Sequence, residues 1–114
     1  IHKRPKEGRL VENKMYEARY NDKKMFEIAE NFTLLAKKLN YSPVSLSIAW
    51  AKSHPAVTAP IIGGRNTAQL KDSINSLDIN MNSELREQIS KLSFDPALAT
   101  DRNEENTKYN YGQR

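Results

Sequence analysis

Gly63, Gly64, Arg65 and Asn66 have the types and spacing to hold an anion, and they lie together in the stretch APIIGGRNTAQLKDS at 59–73. Glycine has no Cβ, so Gly63 and Gly64 let a ligand approach the backbone closely. Asn66 is a favoured helix N-cap, and Gln69 follows three residues later, as in a capping box. A tight turn that opens a helix leaves backbone N–H groups without intrahelical partners, and these attract negative charge. Arg65 adds a planar guanidinium that matches a phosphate bidentately. The same residues also read as an ordinary strand-to-helix connection carrying a surface arginine. Local chemistry leaves both readings open.

The elements that must position this turn follow from hydrophobic spacing. Before it, Val57, Ala59 and Ile61 alternate with Thr58, Pro60 and Ile62, which predicts a strand over 57–62. Pro60 has no N–H to give a ladder, so that strand is limited on one side. After the turn, Ala68, Leu70, Ile74 and Leu77 predict a helix over 66–77. Upstream, Met25, Ile28, Ala29, Phe32, Leu35, Ala36 and Leu39 form a stripe of period 3.6, capped by Asn21 or Asp22 and closed by Asn40. Ser42-Pro43 then reads as N-cap and first residue of a second helix. Val44, Leu46, Ile48, Ala49, Trp50 and Ala51 are apolar nearly all round, so this helix should be buried on more than one side. Pro55 stops it. Met25, Phe32 and Trp50 read as packing residues. His54, placed between a helix end and a proline, reads as a poor candidate for an acid or base. Asn82 caps a last helix over 83–92, with Leu85, Ile89 and Leu92 on one face.

Around these elements lie two weakly patterned ends. Residues 1–22 read as a loop with one helical turn near 11–18, and Tyr16 and Tyr20 could share a face. Residues 94–114 read as a polar tail anchored only by Tyr109 and Tyr111. The expected organisation is a leader at 1–22, a structured body at 23–93 and a tail at 94–114.

The chain has 114 residues, enough for one modest domain, and no cysteine. Disulfides and thiolate metal sites are excluded. No apolar run approaches the ~20 residues of a membrane span, and no signal peptide is evident. A reducing, soluble compartment fits, and the expectation is a cytoplasmic protein with no membrane partner. The net charge of +4 is concentrated in residues 1–40, which carry ten Lys or Arg against six Asp or Glu. Those cations alternate with acids and lack interleaved aromatics, so a solvated surface is expected rather than a nucleic-acid footprint.

The run SHPAVTAPIIGGRNTAQL at 53–70 resembles the last strand and cofactor turn of the aldo-keto reductases. In short, bacterial-type members that turn reads hydrophobic-Pro-hydrophobic-hydrophobic-Gly-small-Arg-Asn-x-x-Gln, which Ala59 to Gln69 follow. The flanking helical runs and the tail ATDRNEE at 99–105 match in order, so the resemblance covers nearly the whole chain. It implies an α/β fold, the C-terminal part of a (β/α)8 TIM barrel, in a chain that taken alone is mostly helical with one strand at about 57–62. Such barrels need about 250 residues, so the chain resembles the last two-fifths of one. It further implies an NADPH-dependent oxidoreductase that reduces a carbonyl to an alcohol by hydride transfer.

The resemblance carries site residues over only at the adenosine-phosphate end. Ile62, Gly63 and Gly64 match the strand end whose backbone meets the cofactor. Arg65 and Gln69 match polar positions near the adenosine phosphate or ribose. Asp72 and Ser73 match an acid-amide pair facing the adenine, with Ser73 standing where the family usually has Asn. No lysine precedes the turn, so Arg65 would carry most of the 2′-phosphate charge. The family's catalytic tyrosine, lysine, aspartate and histidine belong to the N-terminal half of the barrel. No position here matches them, so no catalytic residue is assigned and the chain alone is expected to be inactive. The implied partners are a small carbonyl substrate, the rest of the barrel and, failing that, further copies of the chain. Two other readings remain open: a non-catalytic, NADPH-binding regulatory barrel of the channel β-subunit kind, and a small basic helical domain that binds nucleic acid.

Overall fold

Helix α1 is a single turn, Arg9–Glu12, and the long helix α2 spans Lys23–Lys38. Both belong to a computed structural model that describes residues 9–14, 17 and 23–95. The expected leader tyrosines Tyr16 and Tyr20, the caps Asn21 and Asp22, and the tail with Tyr109 and Tyr111 lie outside those residues. By its contacts the chain divides into two units, Asn31–Ser93 and a second one made of Ile1–Glu30 with Phe94–Arg114. In the second, Glu17 N–H donates to Asn13 O at 3.0 Å, one helical turn beyond α1.

The unit Asn31–Ser93 holds the core. Helix α2 ends where Asn40 takes φ 59°, a left-handed conformation that asparagine tolerates better than most residues. Tyr41 N–H then donates to Ala36 O at 2.9 Å and Asn40 N–H to Lys37 O at 3.1 Å, the two bonds of a Schellman termination. Lys37 and Lys38 sit in the last turn, beside the negative end of the helix. Helix α3 spans Pro43–Lys52, with Pro43 in its first turn. Ser42 holds the N-cap position in extended backbone, but its hydroxyl makes no cap bond. Helix α4 spans Thr67–Ile74 and tightens into a 3₁₀ turn at Asn75–Asp78. Helix α5 spans Ser83–Ser90, capped by Asn82 Oδ1 accepting from Leu85 N–H at 2.8 Å.

Leu35 and Ala36 of α2, Leu46 of α3 and Ile89 of α5 are buried together, with Phe32, Leu39, Tyr41, Trp50, Ile79, Met81, Leu85 and Leu92 packed around them. Helix α3 is therefore central, although Val44 on its outer side is exposed. Arg86 fastens α5 to the end of α3. Its Nη1 donates to Trp50 O at 2.7 Å and to Ser53 Oγ, and its guanidinium lies 5.2 Å from the Trp50 ring centroid. Trp50 Nε1 in turn donates to Ser90 Oγ at 3.2 Å. Charged hydrogen bonds and a cation–π contact of this kind contribute about 2 kcal/mol together. Arg86→Ala is expected to speed amide hydrogen exchange in 83–90 about tenfold or more, with little change in 31–38. Uniform exchange rates in wild type and variant would show that the Arg86 contacts hold nothing.

The strand expected at 57–62 is not formed. These residues follow an irregular path, and no strand occurs among the described residues. A strand needs a neighbour to accept and donate its ladder, none is supplied here, and Pro60 has no N–H to offer. Ile61 is 103% exposed. Helix α4 also departs from the expected pattern. It turns small residues inward: Ser73 and Ser76 are buried, and Ser45 Oγ of α3 donates to Asp72 O at 2.6 Å. Its apolar stripe, Leu70, Ile74 and Leu77, faces out, with Leu77 65% exposed. No helix among the described residues is long and apolar enough to cross a membrane.

Candidate anion-binding turn

The turn at 62–66 is set by the first residues of α4. Asn66 lies in extended backbone, φ −150° and ψ 170°, and its Oδ1 accepts from Gln69 N–H at 3.0 Å. Gln69 Oε1 accepts from Arg65 N–H at 2.9 Å. The reciprocal bond of the expected capping box thus falls one residue upstream of the N-cap itself. Together the two bonds clasp the turn against the helix, and the N–H groups of Thr67 and Ala68 have no hydrogen bond among the described residues.

The two glycines differ in what they do. A Cβ at Gly64 would sit 3.0 Å from Leu70 N and 3.3 Å from both Asn66 O and Gln69 Cβ. Gly64 is therefore needed for the turn to close on the backbone of α4. A Cβ at Gly63 would meet nothing within 4 Å, and Gly63 is not in the left-handed region. Neither packing nor backbone conformation among the described residues calls for glycine there. Gly64→Ala is expected to loosen the turn by about 1–3 kcal/mol, as overpacking against fixed backbone does, and to speed exchange of the Arg65, Gln69 and Leu70 amides. Gly63→Ala should leave the same amides within about 0.5 kcal/mol of wild type. Equal protection loss in both variants would contradict the division of roles.

Ile62, Gly63, Gly64, Arg65 and Gln69 are all exposed and adjacent, so the structure brings them to one surface. The Arg65 guanidinium makes no hydrogen bond or ion pair among the described residues. Asp72 is half-buried one turn further on, its carbonyl held by Ser45. Ser73 is 3% exposed, and its Oγ donates to Gln69 O at 3.1 Å. In this arrangement its hydroxyl is engaged within α4 rather than offered to a ligand. His54 lies away from the turn in sequence and shapes its own loop: Nδ1 accepts from Ala56 N–H at 3.1 Å.

The capping-box spacing of Asn66 and Gln69 foretold that the Gln69 side chain turns back on the helix start, but not that it accepts from Arg65 N–H instead of the N-cap N–H. That Ser45 anchors α4 was not anticipated, because this contact spans 27 residues and has no local signature. Among the described residues no group of three or more His, Asp or Glu side chains is placed to hold a metal ion.

Residues 3–93 match the model of the Aldo/keto reductase family. Over 71 residues, 62% of this chain, the sequence is 33% identical to "Uncharacterized oxidoreductase YrpG" of Bacillus subtilis (strain 168). The chain spans about a fifth of that relative's length, 22%. No solved structure matches it. With a family match running through α2, α3, α4 and α5 and across the Gly63-Gly64 turn, the chain belongs to the aldo/keto reductase family.

Proposed function

We propose that the chain is the C-terminal portion of a (β/α)8 barrel oxidoreductase that reduces a carbonyl compound with NADPH, and that it contributes the adenosine-phosphate end of the cofactor site. The observation that carries this reading is the pairing of an open Gly63 with a closed Gly64 beside an unpaired Arg65. The missing side chain at Gly63 makes room for something outside the described fold, next to a free guanidinium at a helix start. A nucleotide phosphate fits such a cradle in charge and in its need for N–H donors. Ile62 to Gly64 would line the backbone approach, Arg65 would pair with the 2′-phosphate, and Gln69 would hold the turn in shape. Asp72 would face the adenine edge, whereas Ser73 would have to leave Gln69 O to serve there. When bound, NADPH supplies the hydride, and this chain's residues bind and orient the far end of the molecule. The exposed Leu70, Ile74 and Leu77 stripe supports the barrel reading, because it is the face that a sheet would cover. A cytoplasmic location accompanies the reading.

The test is Arg65→Ala in the complete barrel protein. A desolvated charge-assisted pair is worth roughly 1.5–3 kcal/mol, so NADPH affinity should fall about tenfold to a hundredfold. NADH affinity should change little. Equal losses for the two cofactors, measured by fluorescence titration, would end the 2′-phosphate role.

A further inference from the structure

A recess lies apart from the Gly turn, between the end of α3 and the segment after α4. It has a volume of about 170 Å³ and is lined by Ala49, Lys52, Ser53, Ser76, Ile79 and Met81. Engineered cavities of about 150 Å³ accept benzene, so a ligand of about six heavy atoms fits.

Its polar groups are unevenly engaged. Ser76 is 4% exposed, yet its hydroxyl has no hydrogen-bond partner among the described residues. Buried hydroxyls are almost always satisfied, and one that is not marks a site for a water or a ligand. The Lys52 ammonium has no ion pair among the described residues. Ser53 Oγ donates to Trp50 O at 2.7 Å and accepts from Arg86, so it keeps one lone pair and brings a second cation up behind it. No carboxylate lines the recess. The remaining wall, Ala49, Ile79 and Met81, is apolar.

We infer that this recess binds a small monocarboxylate with a short aliphatic tail, its head between Lys52 and Ser76 and its tail against Ile79 and Met81. One free ammonium suits a monoanion, since the Arg86 guanidinium is already held by Trp50 O and Ser53. The apolar wall disfavours a fully hydrated ion such as inorganic phosphate, which would leave that wall uncovered. The Ser76 hydroxyl donates to the carboxylate and so gains the partner it lacks. The inference is independent of the nucleotide reading, because none of these residues belongs to the turn.

Ligand-observed saturation-transfer NMR on the full chain tests it, with butanoate as the probe and butan-1-ol as its uncharged counterpart. Saturable transfer to the butanoate tail is expected, with butan-1-ol at least tenfold weaker. Lys52→Gln and Ser76→Ala should each weaken butanoate about tenfold, the usual loss when a charge-assisted contact is removed. A [¹³C-methyl]Met81 resonance should shift with the same midpoint. Circular dichroism of each variant should match wild type, and if Ser76→Ala fails to fold, Lys52→Gln decides by itself. Transfer that survives in both variants would put the probe on the exposed apolar face and overturn the inference. So would equal binding of the alcohol, or a recess that takes up water only.

Discussion

A polypeptide of these 114 residues is expected to reduce no aldehyde or ketone with NADPH. Hydride delivery to a carbonyl carbon leaves charge on its oxygen, and a positioned acid that protonates it supplies about 10²–10⁴ in rate. The described residues offer no such acid beside the turn. Tyr41 is half-buried and packed on the Leu35–Leu46 core. His54 has its Nδ1 turned to Ala56 N–H. Orientation of both reactants contributes further orders of magnitude, and the residues placed here can fix only one end of a nucleotide. Rates over a broad aldehyde panel should equal the no-protein background. Turnover clearly above background, surviving removal of contaminating reductases, would refute the expectation.

The same polypeptide is also expected not to behave as a well-packed monomer. The exposed stripe of Leu70, Ile74 and Leu77 adjoins in sequence a segment with exposed Val57, Ile61 and Ile62. Burying a Leu, Ile or Val side chain is worth about 1.5–3 kcal/mol. Leaving these exposed therefore forgoes several kcal/mol, comparable to the 5–15 kcal/mol that stabilises a typical domain. Among the described residues the buried set is small by contrast: Leu35, Ala36, Leu46, Ala49 and Ile89 are its apolar members. Residues 58–62 also carry backbone groups with no hydrogen bond among the described residues, and such groups invite association. Sedimentation should show self-association at micromolar concentration, and thermal unfolding followed by circular dichroism should be broad. Leu77→Glu with Ile74→Lys should reduce association without loss of helix signal. A sharp two-state melt from a monomer would show that Leu35, Leu46 and Ile89 suffice as a core.

Local chemistry determined much of this chain. The 3.6-residue stripe of α2, its stop at Asn40, Pro43 in the first turn of α3, and the Asn66 and Asn82 caps are all decided by neighbours within about four residues. Their energetics are complete within one turn of helix. The helix ends at Ile74 and Ser90 were less legible, since 3₁₀ tightening and fraying shift boundaries by one or two residues. The turn into α4 at Gly63-Gly64-Arg65, with its Asn66 cap, was legible for the same local reason.

Tertiary structure decided what sequence spacing could not. Whether 57–62 is a strand depends on a partner strand, and alternation alone supplies none. Which face of α4 is buried depends on what packs against it. Hydrophobic spacing favoured Leu70, Ile74 and Leu77, yet α3 accepts Ser73 and Ser76, because small side chains let two helices approach closely enough for Ser45 to reach Asp72 O. The difference between the two glycines likewise needed coordinates, since it rests on where a Cβ would point. The Arg86 link to Trp50 and Ser53 joins residues 36 and 33 apart, and contacts at that separation leave no periodic trace. Sequence thus determined the helices and their caps, because those are settled by bonds within a few residues. The fold decided which faces are covered and which polar groups stay free, because those depend on what the rest of the chain brings alongside.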